Sequence, residues 1–299
     1  LRSGPRKLRD LVKPYDVAVY KGRVYVTDTV QRAVLMFDIP GRRFVEFGTE
    51  KPGELSKPMG IDISPSGEVY VADISDRRVL VYTSDGRFLR SIGSVKRLTR
   101  PSDVTISPDG KRVYVVDTGG IDSPSHDVVV YDAEDGHYVR TIGQRGIDKG
   151  QFNLPLQAAT GPDGRLYVVD SGNFRVEIFS PDGKYLDSFG SVGRAPGQFA
   201  RAKGIAVDRD GRAYVVDTAF GNVQIFDPQN RLLMFIGERG EAGYPGKFML
   251  PAGIDVDADG RIYMVDQFFR KIDVFRPVTL KAEEGEAAYV FKGNTDEPD

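Results

Sequence analysis

Six copies of a Tyr-x-x-Asp unit run through the chain at nearly even intervals: Tyr25/Asp28, Tyr70/Asp73, Tyr114/Asp117, Tyr167/Asp170, Tyr214/Asp217 and Tyr263/Asp266. Successive tyrosines lie 45, 44, 53, 47 and 49 residues apart. A repeat of this length is one supersecondary unit that cannot bury its own apolar surface, so it must stack against its neighbours. The stretch Pro58 to Gly93 shows what the unit contains: four short apolar runs separated by three turns. Four strands at this period are the pattern of a propeller blade. The predicted fold is therefore all-β, a six-bladed β-propeller with four-stranded antiparallel blades. Blades are expected at approximately 14–48, 58–93, 101–143, 155–190, 202–237 and 251–293, in a single domain over 1–299.

Within a blade, apolar residues fill both parities of the inner strands, as expected when both faces of a sheet are covered. Val69, Val71, Val79 and Val81 are expected to face one neighbouring blade, and Tyr70, Ala72, Leu80 and Tyr82 the other. Turns such as Ser-Pro-Asp-Gly (107–110) and Gly-Pro-Asp-Gly (161–164) suit tight hairpins, because Pro presets φ and Gly supplies φ > 0. The run Pro-x-Gly-Ile-x-Ile/Val, then Gly-x-(Val/Ile)-Tyr-Val-x-Asp, then Arg-Val-x-Val-Tyr/Phe resembles the NHL repeat over residues 14 to 276. That resemblance implies a six-bladed propeller. It implies little about activity, since such propellers include scaffolds, sensor domains, RNA binders and lyases.

Bulk composition excludes several classes. With 41 Lys+Arg against 43 Asp+Glu the net charge is −2, and no basic run stands out, which argues against nucleic acid as a partner. The chain has no cysteine, so disulfides, thiolate metal sites and covalent haem attachment are excluded together. No apolar run approaches the ~20 residues of a membrane helix. The start at Leu1 is read as processed or trimmed, which leaves export open. By resemblance to exported bacterial NHL propellers, an extracytoplasmic (periplasmic or extracellular) setting is expected.

A propeller must tie its last blade to its first or leave strand edges open. The last blade is expected to be completed by a chain terminus. Leu1-Arg2-Ser3-Gly4 echoes Leu89-Arg90-Ser91-Ile92-Gly93, while Ala287 to Phe291 could return as a fourth strand and is the preferred candidate. The blade-six edge could instead accept a strand from a partner or from a second copy.

The strand 2–3 loops and blade-to-blade links carry the sequence variety, including an insertion from Gly119 to His126. Phe174, Phe220, Phe268, Phe269 and His126 are candidate partner-contact residues there. Phe152, Phe199 and Phe248 recur in Gly-x-Phe links and read as seals between blades. The six repeated aspartates read as structural acceptors for loop N–H groups, helped by Arg78, Arg175 and Lys271. In the central channel, Asp16, Asp103 and Gln157 are placed at the mouth, with Asp62 and Asp255 a step deeper. These oxygen groups are a candidate Ca2+ site, as in lactonase-like propellers, whose Glu/Asn/Asn/Asp set is not matched here. His126 and His137 fall on opposite ends, so a shared zinc site is excluded. The expected function is a non-catalytic protein-interaction scaffold with no cofactor, docking a protein such as a multihaem cytochrome or another exported protein. The alternative is a lactonase- or lyase-like enzyme using a channel-bound Ca2+.

Overall fold

The innermost strands Pro14–Tyr20, Pro58–Ile63, Pro101–Ile106, Pro155–Thr160, Ala202–Val207 and Pro251–Val256 touch in sequence order, and the first also meets the last. They form a closed ring around a central axis. The computed structural model describes residues 10–120, 122–281 and 284–287. From each inner strand the chain moves outward by consecutive antiparallel hairpins. Five blades have four strands each and the sixth has three among the described residues, from Pro251 to Phe275. One 3-10 turn, Ser171–Asn173, is the helical content described. The molecule is an all-β six-bladed propeller. Its short polar turns and its longer links lie at opposite ends of the wheel, because antiparallel strands alternate direction. The segments proposed to complete the last blade, before Gly4 and at 288–291, lie outside the described residues.

Apolar side chains fill the space between successive blades. Between blades two and three sit Tyr70, Ala72, Val79 and Val81 with Val104, Val113 and Val129. Between blades one and two sit Val69, Val71, Leu80 and Tyr82 with Tyr25, Val34 and Met36. The expected grouping of Val69 with Val79 is thus corrected. Directly paired residues of an antiparallel sheet point to the same side, and Val69 pairs with Tyr82, Val71 with Leu80 and Ala72 with Val79.

Five blade junctions, from blade one through to blade six, carry the same lock. A left-handed glycine ends the outer strand, and an apolar side chain from the following link fills the space above it. A Cβ on Gly48 would lie 2.4 Å from Leu55, on Gly143 2.3 Å from Phe152 and on Gly190 2.4 Å from Phe199. Phe152, Phe199 and Phe248 are fully buried, as seals must be. In blades four to six a polar side chain from the third strand fastens the same link. Glu177 accepts from the Gly150 N–H at 3.1 Å, Gln224 from Gly197 at 2.9 Å and Asp273 from Gly246 at 2.9 Å.

The six repeated aspartates are fully buried. Asp217 shows their work: it accepts the N–H groups of Ala200 and Arg201 from the incoming link, and of Ala219 and Phe220 from the outgoing loop. Asp28 and Asp73 do the same with their own flanking segments. Each carboxylate therefore ties one link to one loop at the end of the second strand. Of the three cations expected to help, Arg175 does so, its Nε lying 3.0 Å from Asp170. Arg78 pairs with Asp76, and Lys271 with Asp273, because backbone donors already occupy Asp73 and Asp266.

Candidate functional site

Hub geometry follows from which side chains the inner strands aim at the axis. Asp16, Asp103 and Gln157 come together there, each almost fully buried. Glycines in the same ring make the space: a Cβ on Gly60 would lie 1.8 Å from Asp103 Oδ1, and one on Gly253 2.1 Å from Asp16 Oδ1. The carboxylates lace blade to blade. Asp16 accepts from Ile61 N–H at 3.1 Å, and Asp103 from Ala158 N–H at 2.8 Å. Asp62 accepts from Ile106 N–H at 2.7 Å and Thr105 Oγ1 at 2.9 Å, and Asp255 from Val19 N–H at 2.7 Å. Gln157 from blade four lies across the axis close enough to Asp16 of blade one to favour its charged form.

Burial outweighs these hydrogen bonds. It pushes Asp16 up to about 7, and the Asp62 charge adds to the shift while Ile61, Val17 and Gln157 oppose it. Burial likewise lifts Asp62 to about 6. It raises Asp103, helped by the charge of Asp16, and Asp255, helped by Asp62, well above the usual carboxylate range.

A cavity of about 300 Å³ runs from this ring to the strand 1–2 turns, where Pro65, Pro108, Pro162 and Arg209 line it. Asp16, Asp103 and Gln157 are therefore its floor, a correction to their expected place at the mouth. On the loop side, Tyr15 and Lys203 lie across the axis. The Lys203 amine is 4.5 Å from the Tyr15 ring and donates to Gln267 Oε1 at 3.1 Å. Sequence alignment of the inner strands gave the ring's order but not which end these two long side chains cover. Among the described residues, no group of three or more His, Cys, Asp or Glu side chains is placed to hold a metal ion. Asp16 and Asp103 each spend an oxygen on a neighbouring blade's N–H, so the predicted set is committed to joining blades.

The opposite end of the wheel carries one group of the exposed apolar side chains; others lie on the outer strands, and Val278 follows the third strand of blade six. Val30, Val95, Ile147, Val192, Tyr244 and Phe268 all project from strand 2–3 loops or links, with Ile147 74% and Tyr244 71% exposed. Among the described residues, no strand 1–2 turn exposes a large apolar side chain. Phe268, 56% exposed, packs edge-on against Phe269 with ring centres 5.2 Å apart. The Phe269 ring lies against Gly243, and the Lys271 amine donates to Tyr244 O at 2.8 Å, so link and loop form one surface.

The other expected contact residues are less free. Phe174 is half-buried against the blade four–five core and Phe220 is half-buried above Asp217. His126 is 1% exposed and is not a surface contact. Its Nδ1 accepts the Leu154 N–H at 3.1 Å, which leaves Nε2 to donate to Gly120 O at 3.2 Å. The histidine pins the insertion onto the link into blade four. Sequence reading missed Tyr244. Its signal was present as an aromatic in the longest link with no counterpart at the same place in other links.

A family profile for the NHL repeat matches residues 152–179, the stretch from Phe152 through the third strand of blade four. A sequence comparison with curated proteins finds no match. Among solved structures, the chain is similar to hydrazine synthase of Kuenenia stuttgartiensis, with 16% identity, a TM-score of 0.63 and coverage of 93% of this chain and 99% of that one. It is similar to virginiamycin B lyase from Staphylococcus aureus, with 16% identity, a TM-score of 0.62 and coverage of 92% and 89%. A gluconolactonase from Xanthomonas campestris gives 21% identity, a TM-score of 0.63 and coverage of 86% and 84%. At these identities the likeness is one of fold alone. With an NHL repeat matched in blade four and the same Tyr-x-x-Asp unit closing the second strand of all six blades, the chain is a six-bladed β-propeller that carries an NHL repeat.

Proposed function

We propose that this propeller is a non-catalytic scaffold that docks a protein partner on the face bearing the strand 2–3 loops and blade-to-blade links. The observation that carries this reading is the concentration of exposed apolar side chains on that face and the rim, with Val278 past the third strand of blade six as an exception and none on a strand 1–2 turn among the described residues. A rigid disc that presents Tyr244, Phe268 and Phe269 as one aromatic surface offers the kind of anchor on which interfaces depend. An extracytoplasmic setting, and an exported protein such as a multihaem cytochrome as the partner, belong to the same proposal; the repeat resemblance supports them, and the cysteine-free composition is compatible with an oxidising compartment. Affinity capture from the source cell with the native chain and a Tyr244→Ala/Phe268→Ala variant tests the docking reading. Each lost anchor is expected to weaken the complex by about 2 kcal/mol, so the variant should fold normally and lose the captured partner. Equal capture by both chains contradicts it.

A second reading, a lyase- or lactonase-like enzyme with a channel Ca2+, draws on the cavity of about 300 Å³ and its acidic lining. The commitment of the Asp16 and Asp103 oxygens to blade lacing weighs against it. Calorimetry with Ca2+ separates the two: saturable binding lost in both Asp16→Ala and Asp103→Ala supports the enzyme, and no heat supports the scaffold.

A further inference from the structure

The residue just before each innermost strand is Lys13, Lys57, Arg100, Leu154, Arg201 or Leu250, so four of the six positions are basic. Their N–H groups donate to buried aspartates, from Lys13 to Asp28 at 3.0 Å and from Arg100 to Asp117 at 2.6 Å, for example. That bond fixes the backbone and leaves all four basic side chains exposed beside the axis on the loop face. One residue into its strand from Ala202, Lys203 adds a fifth cation, this one deep in the hub. It has three N–H donors and spends one on Gln267. Among the described residues, none of the five is ion-paired with a carboxylate.

Two of these charges, Lys13 and Arg201, act on Lys203. Burial pushes the Lys203 amine down to about 8; Asp16 pulls the other way, while Lys13 and Arg201 push with burial. Arg100 reaches the same point electrostatically through Tyr15. The carboxyls beneath offset the collar only in part, since burial pushes Asp16 up to about 7 and raises Asp103 above its usual range. A cluster of unpaired cations around a partly desolvated amine is matched by an anion that brings its own acceptor oxygens.

We propose that this axial collar binds the carboxylates of an acidic protein segment, a Glu/Asp-rich loop or chain end carried by the docked partner. The proposal rests on the docking reading and names the partner's chemistry. The collar stands at the starts of the innermost strands, and the strand 2–3 loops and links around it carry the exposed Val30, Ile147, Tyr244 and Phe268. The whole chain carries a net −2, which repels a long nucleic-acid backbone beyond the collar.

The test is fluorescence anisotropy with a labelled hexaglutamate peptide, with an oligoribonucleotide of equal charge in a parallel arm. Native chain, Arg100→Gln, Lys203→Met and a control on the far face, Lys184→Gln, are compared, with thermal midpoints confirming that each is folded. Native chain is expected to bind the peptide saturably, and Arg100→Gln and Lys203→Met each to weaken it by roughly tenfold. Lys184→Gln should bind as native does. Bound peptide should also shield Lys203 from an amine-reactive reagent. Absence of peptide binding, equal loss in the far-face control, or preference for the oligoribonucleotide overturns the proposal. If the peptide fails while capture still depends on Tyr244 and Phe268, the docking reading stands and the acidic ligand falls. If the peptide binds while capture is independent of those aromatics, the reverse holds.

Discussion

Asp217 shows how much one side chain carries in this fold. Its carboxylate satisfies four main-chain donors from two segments that have no ladder of their own. Asp217→Ala leaves those N–H groups buried without acceptors and should cost about 2–4 kcal/mol, read as a lower urea midpoint with an unchanged slope. The hub carboxylates act on stability with the opposite sign. Asp16 and Asp62 ionise at about 7 and about 6 when folded, against an ordinary value of 3.8. The folded state thus holds extra protons between those values. The stability this confers is complete below the ordinary value and is lost as pH rises through 6 to 7. The thermal midpoint should therefore fall between about pH 5 and about pH 8, and Asp16→Asn should flatten the fall; parallel profiles in the two chains contradict the assignment. The repeated aspartates were legible because a residue needed in all six copies shows as a period. His126 was not, because its burial depends on how the insertion folds back onto the link at Leu154.

Strands and links divide into those whose surroundings repeat and those whose surroundings do not. The Gly-x-Phe links were readable since the same spacing returns at three junctions, and Phe199 meets no solvent. Phe199→Ala should cost about 3–5 kcal/mol, measured by denaturant unfolding, as the seal between blades four and five becomes a cavity. The outer strand Leu232–Ile236 misleads on the same logic. It is five apolar residues in a row, yet Leu233, Met234 and Phe235 are each more than half exposed on the rim. An apolar outermost strand beside a blade with three described strands is prone to pair with another chain. Phe235→Lys should leave the unfolding midpoint within ~0.5 kcal/mol of native and reduce concentration-dependent association in light scattering. A variant that associates as strongly as native removes the strand from consideration.

At the scale of the whole wheel, periodicity determines the blade count and turn chemistry determines which end is which. Neither determines where the channel opens. That depended on Tyr15 and Lys203, two long side chains at positions where other blades carry Met59, Ser102, Leu156 and Ala252, crossing the axis on the loop side. The result is a molecule with two unlike ends: an acidic cavity opening among polar turns, and a loop face with apolar anchors around a basic centre. The central claim is that the second end does the work. The most direct test places a photo-crosslinking residue at Phe268 on the loop face and, separately, at Lys184 in a strand 3–4 turn, then irradiates each chain with its native partners present. The account predicts a defined adduct from position 268 and none from 184; an adduct from 184 with none from 268 would contradict it.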